Sequence, residues 1–259
     1  MEMKAEVPDP GRKSGDKIQV LFRSYDILMS IANHPDGLSL REIGHYVKLP
    51  RSTVRRIMDT LEEQNIVITA PSTSRYRLGP TLAFFAANIY PFDIGKIARP
   101  MLMHLASMTD ESVYLCVTTH GMAVVVDLIP GVNPLHSVAT MGSSLPLYAT
   151  ACGKALMATM SEKELEDLRL QMKLVHLTKN TITDWEKLLI EIETIRTTGV
   201  ALDREEYQTG ITGIAIPLKG PGGELGAISI ILHTERYQVI GEHLVQFLLH
   251  GIQALRWTR

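Results

Sequence analysis

A cluster of cations lies in the first third of this 259-residue chain and could bind a polyanion. Four of its members fall within nine positions and two more follow before residue 80: Lys48, Arg51, Arg55, Arg56, Arg75 and Arg77. Guanidinium groups neutralise phosphates and hydrogen-bond to base edges, and the hydroxyls of Ser52 and Thr53 can also reach bases. These residue types predict contact with nucleic acid, provided that one element presents them together.

The segment ACGKA, residues 151–155, is the second place that could carry chemistry. Cys152 could be a thiolate nucleophile because a helix N-terminus lowers the pKa of a thiol, but no pattern marks a partner base, which favours a packed cysteine. A phosphate-binding loop is excluded, since Tyr148 stands where its first glycine is required and Ala155 where Ser or Thr is. The nine histidines show no paired metal spacing. We therefore predict no enzyme, no catalytic residue, no metal and no cofactor.

Three helices and a β-hairpin are predicted to position the cations. An apolar stripe from Val20 to Ile31 predicts the first helix, and the capping-box pair Ser39 and Glu42 opens the second, which stops before Pro50. The third helix begins near Pro50, and its inward face carries Val54, Ile57, Met58 and Leu61. Two short strands, 66–69 and 75–78, complete a winged helix-turn-helix over residues 18–79.

The third helix is the element that such a motif inserts into the major groove of DNA. Side chains at its N-terminal end usually face the bases, and alternate residues of a wing strand can reach phosphates or the minor groove. The predicted DNA contacts are Ser39, Arg51, Ser52, Thr53, Arg55, Arg56, Arg75 and Arg77. The alternative is that these arginines only solvate an exposed helix face.

Residues 80–95 are predicted to form a linker helix, because Thr81–Tyr90 is apolar up to Pro91. Phe84, Phe85 and Ile89 are too large for a solvated linker, so they pack either on the winged domain or on the same helix of a second subunit. Dimerisation is favoured, since one recognition helix reads too few base pairs for useful specificity.

The remaining chain, residues 96–259, alternates helices and strands in an α+β manner. Helices are predicted over 93–109, 150–159, from 161, 184–198 and 240–255, and strands over 112–119, 122–129, 135–140, 213–218 and 224–232. Gly199 is a predicted helix C-cap. Helices around a curved, mainly antiparallel sheet suit a domain that binds a small molecule.

The net charge of −2 is an average over two different parts of the chain. Residues 1–80 carry 12 basic and 10 acidic side chains, a net of +2, and residues 81–259 carry 14 and 18, a net of −4. The two cysteines, Cys116 and Cys152, form no disulfide framework and fit a reducing cytosol. No stretch approaches the ~20 apolar residues of a membrane span, and residues 1–17 are predicted to be a disordered leader. We expect a cytoplasmic protein with no membrane partner.

The motifs along the chain resemble those of the IclR-type bacterial transcriptional regulators. In the N-terminal part the similarity lies in Leu38–Ile43, Leu49–Arg56 and Tyr76–Gly79. In the C-terminal part the similar segments, in the family's order, are Leu145–Ala155, Gly199–Glu206 with Gly210 and Ile211, and Gly226–Ser229.

The resemblance implies a GAF-like domain that binds a small metabolite, often an organic acid, in a dimer or dimer of dimers on operator DNA. Carried over position by position, the effector pocket would be lined by Ala151, Cys152, Asp203, Ile211, Gly213, Ser229 and Ile231. Cys152 departs from the small residue common there, and Gly213 and Ile231 stand where relatives can have side chains that contact the effector.

Physical chemistry supports an anionic ligand at one side of this pocket and opposes it at another. Backbone N–H groups at a helix start near Thr150 favour an anion. The Asp203 carboxylate repels one unless it is protonated; it could instead bind an effector hydroxyl or cap a neighbouring turn.

The sequence predicts a metabolite-controlled DNA-binding regulator, a repressor or an activator. The alternative is a metabolite-binding or thiol-dependent hydrolytic protein that uses its N-terminal domain for assembly.

Overall fold

The computed structural model describes residues 18–70, 73–88, 93–132 and 139–255, and the chain divides into two compact units. The first unit contains the described residues up to 88, and the second contains those from 93 onwards. The predicted leader lies outside the described residues. So does the strand predicted over 135–140, apart from its last two residues, which are not in a strand. The domain bounds 18–79, 80–95 and 96–259 stay predictions.

The first unit combines helices with a two-stranded antiparallel hairpin. Its elements are α1 Gln19–Ala32, α2 Leu40–Val47, α3 Arg51–Glu63, β1 Val67–Ala70, β2 Arg75–Leu78 and α4 Pro80–Asn88. The predicted inward face of α3 is confirmed: Val54, Ile57, Met58 and Leu61 are its buried residues. The α1 stripe is buried only in its second half, at Ile27 and Ile31, which join this core, whereas Val20 and Leu21 are 51% and 63% exposed.

The turn between α2 and α3 sets the position of the third helix. The predicted capping box is present, because Ser39 Oγ accepts the Glu42 N–H at 3.3 Å and Glu42 Oε2 accepts the Ser39 N–H at 2.8 Å. Lys48 ends α2 with a left-handed φ of 54°, and Pro50 precedes α3. Residues 48–50 therefore form the three-residue turn that is typical of a helix-turn-helix.

The second unit is an α+β domain built on a six-stranded antiparallel sheet. Its elements are α5 Asp93–Thr109, β3 Ser112–Thr119, β4 Met122–Ile129, β5 Ser144–Pro146, α6 Ala151–Ala158, α7 Glu162–Gln171, α8 Trp185–Thr198, β6 Ala201–Arg204, β7 Ile211–Lys219, β8 Leu225–His233 and α9 Thr234–Leu255. The strand order is β5-β4-β3-β8-β7-β6, which confirms the predicted fold class. Strand β6 was not among the predicted strands, and α9 begins at Thr234 rather than at Ile240.

The two faces of this sheet belong to two separate cores. Along β3 the side chains of Tyr114 and Cys116 pack with α6, α7 and α8, whereas Val113 and Leu115 pack with α5 and α9. Strands β7 and β8 alternate in the same way, as the period of two along a strand requires. Among the described residues, every helix is too short or too polar to span a membrane.

Candidate functional site

The exposed face of α3 presents the predicted base-contacting side chains away from the core. Arg51, Ser52 and Arg56 are exposed, and Thr53 is half-buried. Ser52 and Arg56 are four residues apart, so they lie on the same side of the helix. Neither Arg51 nor Arg56 forms an ion pair with any residue that the structure describes, which leaves both guanidinium groups available to a ligand.

Arg55 lies on the same helix but has an acidic neighbour. Its Nε donates to Asp59 Oδ1 at 2.8 Å, and the two side chains are 59% and 47% exposed. An exposed ion pair at this spacing contributes less than about 1 kcal/mol, so Arg55 can exchange Asp59 for a phosphate at little cost.

The two wing arginines differ in what surrounds them. Arg77 is exposed, whereas Arg75 is half-buried: its Nε donates to the Gly37 carbonyl at 2.9 Å and its Nη2 to the Glu42 carboxylate at 3.0 Å. Hydrogen bonds from the backbone and side chain of Ser39, and then Arg75, hold the pKa of Glu42 below its usual value. Arg75 and Ser39 thus join β2 to the first turn of α2, and their contact with DNA stays a prediction.

The predicted effector residues converge on the sheet face that α6 covers. Asp203 of β6 lies opposite Gly213 of β7, which lies opposite Ile231 of β8. A Cβ on Gly213 would stand 3.1 Å from the Ala151 Cβ and 3.9 Å from the Ala151 nitrogen, so the glycine lets the start of α6 approach the sheet. All seven residues that were predicted to line the effector pocket are buried: Ala151, Cys152, Asp203, Ile211, Gly213, Ser229 and Ile231.

Two polar side chains of this cluster are suited to hold a ligand. The Ser229 hydroxyl is buried and has no hydrogen-bond partner among the described residues. Asp203 Oδ1 accepts the backbone N–H groups of Glu206 at 2.7 Å and Tyr207 at 3.3 Å, so the carboxyl caps the turn that follows β6. The pKa of Asp203 is raised to about 7, chiefly by burial and also by the Glu206 carboxylate, while the backbone N–H groups of Glu206 and Tyr207 and the charge of Lys154 act against the increase. Near neutral pH the carboxyl is therefore often protonated and can donate a hydrogen bond.

The start of α6 lies where it was predicted and is capped by Thr150. Thr150 Oγ1 accepts the Gly153 N–H at 3.2 Å and donates to the Pro146 carbonyl at 2.8 Å. A side-chain cap takes up one of the N–H groups of a first turn and leaves those at Ala151 and Cys152 next to the sheet.

Lys154 is a residue of this site that the sequence analysis missed. It is fully buried, and its Nζ donates to Glu206 Oε1 at 2.7 Å and to Glu191 Oε1 at 3.2 Å. The lysine thereby joins α6 to α8 and to the turn after β6, which contains Glu206 and is capped by Asp203. Its partners lie 37 and 52 residues away, so local spacing could not reveal them; the available signal was a lysine surrounded by apolar residues on a buried helix.

A winged helix-turn-helix followed by an α+β unit with a buried polar cluster defines a bacterial transcriptional regulator with a DNA-binding and a ligand-binding unit. Family models agree with this class: that of the IclR helix-turn-helix domain matches residues 20–71, and that of the bacterial transcriptional regulator IclR C-terminal domain matches residues 86–254. The chain belongs to the IclR family.

Relatives cover most of the chain. It is 38% identical over 237 residues to the HTH-type transcriptional regulator Rv1719 of Mycobacterium tuberculosis, a match that covers 91% of this chain and 89% of that protein. It is 32% identical over 245 residues to the DNA-binding transcriptional repressor YiaJ of Escherichia coli, covering 92% and 86%. The crystal structure of Thermotoga maritima IclR superposes with a TM-score of 0.76 at 28% identity, covering 92% and 98%.

These matches decide between the two functions that the sequence left open. The relatives are transcriptional regulators and repressors, so this chain is a DNA-binding regulator with an effector domain and is not an enzyme. The hydrolytic alternative has no support.

Proposed function

We propose that this chain binds operator DNA in the cytoplasm as a dimer or a dimer of dimers, and that an organic acid in the second unit controls the binding. In this proposal α3 enters the major groove and the wing contacts the backbone. The observation that carries the proposal is the exposed α3 face, where Arg51 and Arg56 have no ionic partner among the described residues and flank the Ser52 hydroxyl.

The exposed aromatic residues of α4 support the dimer. Phe84 and Phe85 are 65% and 52% exposed within a single chain. Side chains of this size are normally covered, and they are not buried in the core of the first unit. Two copies that bury them against each other would also place two recognition helices on one operator, as half-site recognition requires.

The effector part of the proposal is supported by three polar groups in the cluster between α6 and the sheet. A ligand carboxylate could accept hydrogen bonds from the unpartnered Ser229 hydroxyl, from protonated Asp203 and from the N–H groups at the start of α6. A structure of this fold, the IclR homologue of Microbacterium hydrocarbonoxydans, was determined in complex with 4-hydroxybenzoate; it has a TM-score of 0.73 and 21% identity. That acid is therefore a suitable first probe.

The DNA contacts are tested with a duplex selected by the wild-type protein from a random library. In a fluorescence-anisotropy titration, Arg56→Ala should weaken binding by about 1–3 kcal/mol, or about 5- to 150-fold, if Arg56 contacts a base. Arg169→Ala removes a cation from α7 in the second unit and should leave the affinity unchanged. Wild-type affinity in both Arg51→Ala and Arg56→Ala would exclude α3 as the recognition helix.

The effector site is tested by thermal denaturation of the full chain with 4-hydroxybenzoate and a panel of small carboxylic acids, each paired with its neutral amide. An acid present at 100 times its Kd should stabilise the second unit by about 2.7 kcal/mol. Ser229→Ala should reduce this shift, because the variant loses one donor to the carboxylate. If the amides stabilise the protein as well as the acids do, the ligand class is wrong.

A further inference from the structure

The two cysteines of the chain are brought together inside the second unit. Cys116 lies on β3 and Cys152 in the first turn of α6, 36 residues apart in the sequence, and α6 packs against β3. Both are free thiols, 0% and 1% exposed, in the same apolar cluster. The two thiols lie close enough for each to shift the pKa of the other. Cys152 is one of the predicted effector residues, but the donors proposed for the effector carboxylate do not include either thiol.

The surroundings make the two thiols chemically unequal. The hydrogen bond from Cys116 holds the pKa of the Cys152 thiol below its ordinary value, and burial opposes this effect. The same bond and burial raise the pKa of Cys116. Cys152 Sγ also lies 3.6 Å from the Thr150 hydroxyl at the start of a helix, where a thiolate is favoured. Cys152 is therefore the better nucleophile, and Cys116 is placed to attack it once it is oxidised.

We propose that Cys116 and Cys152 are an oxidation site that takes hydroperoxides and forms a reversible intrachain disulfide. The Cys152 thiolate attacks one peroxide oxygen, the O–O bond breaks, and the sulfur is oxidised to a sulfenic acid; the second oxygen takes up the proton that the Cys152 thiol released and leaves as water or an alcohol. The Cys116 sulfur then attacks Cys152, an S–S bond replaces the S–O bond, and the hydroxyl leaves as water with the Cys116 proton. A hydroperoxide suits this buried pair because it can be small and uncharged.

Disulfide formation would act on the helix turn that carries the proposed effector contacts. An S–S bond of about 2.05 Å is shorter than any hydrogen-bonded contact between two thiols, so oxidation draws the start of α6 towards β3. That start carries Ala151, which lies against Gly213, the strand neighbour of Asp203. The disulfide and an effector would then act on the same few residues, although formation of the disulfide does not depend on the effector or on DNA.

The proposal is tested on the reduced full-length protein with hydrogen peroxide as the probe, followed by alkylation in denaturant and mass spectrometry. We expect the wild type to lose the mass of two hydrogen atoms, to yield one cross-linked peptide that joins Cys116 to Cys152, and to regain both thiols with dithiothreitol. Cys116→Ala should stop at a Cys152 sulfenic acid that dimedone traps. Cys152→Ala should keep Cys116 reduced under the same treatment.

Three results would overturn the proposal. The first is full alkylation of both wild-type cysteines after a treatment that oxidises free cysteine in the same tube. The second is cross-linking only between chains, through Cys116–Cys116 or Cys152–Cys152 peptides. The third is overoxidation of Cys152 to a sulfinic acid without any cross-link. The cross-link is read in the wild type, so the test does not depend on whether either variant folds.

Discussion

Replacing Asp203 with asparagine should abolish a pH dependence that burial of this carboxyl imposes on the second unit. Asp203 is 6% exposed, and its Oδ1 accepts the N–H groups of Glu206 and Tyr207. Asp203→Asn keeps an oxygen for both bonds and cannot ionise. The variant therefore removes the charge while it preserves the turn.

The sign and size of the effect follow from the raised pKa. Burial raises the pKa of Asp203 from 3.8 to about 7, so within this range the folded state holds a proton that the unfolded chain has released. The free energy of unfolding of the wild type therefore falls as pH rises from about 4 to about 7 and is level above that. A difference of about 3 pKa units corresponds to about 4 kcal/mol. The free energy of unfolding of Asp203→Asn relative to that of the wild type should therefore rise by about 2–4 kcal/mol as the pH rises from about 4 to about 8.

Urea unfolding at several pH values measures this difference. Trp185 is the first residue of α8 in the second unit, so its fluorescence reports the unfolding of that unit. Asp184→Asn is the matched control, because Asp184 caps α8 by accepting the Lys187 N–H at 2.9 Å in an exposed position. If the difference in free energy of unfolding between Asp203→Asn and the wild type stays constant across this pH range, the assignment of a raised pKa to Asp203 is refuted.

Two further substitutions test the cap and the buried cation. Ser39→Ala should destabilise the first unit by about 1 kcal/mol in chemical denaturation, because it removes the hydroxyl that caps α2, and an unchanged midpoint would contradict that role. Lys154→Met should destabilise the second unit by about 3–5 kcal/mol, because it leaves the Glu206 carboxylate buried without a cation. Adding Glu206→Gln should recover much of this loss; a double variant no more stable than Lys154→Met would show that Lys154 acts through packing instead.

Local patterns predicted the elements whose stabilisation is itself local. The inward stripe of α3, the capping box at Ser39 and the C-cap at Gly199 all depend on residues within a few positions of one another, and all three are present. The start of α9 was placed six residues late, because Thr234–Val239 carries little apolar periodicity although the structure continues the helix from β8. Strand β6 was not predicted, since its two apolar residues are followed by two charged ones and show no alternation.

Pairings that depend on the tertiary fold could not be predicted in this way. Lys154 meets Glu206 and Glu191, and Cys116 meets Cys152, only after the sheet and α6 have packed. The resemblance to the IclR family predicted a group of effector residues, and the structure brings them together between α6 and one face of the sheet; their contact with an effector stays a prediction. The alternative that Asp203 caps a neighbouring turn is present in the structure; the sequence could not indicate which N–H groups it accepts, because that depends on the conformation of the chain after β6.

The division of the sheet between two cores has a consequence for how this regulator can change its ligand. Alternate residues of β7 and β8 face either the effector cluster or the core that α5 and α9 close. Substitutions at Gly213, Ser229 or Ile231 can reshape the proposed ligand site while Ile214, Ile230 and their neighbours keep the opposite core packed. Tolerance to substitution along these strands should therefore alternate with a period of two, and new ligand preferences can arise without loss of the fold.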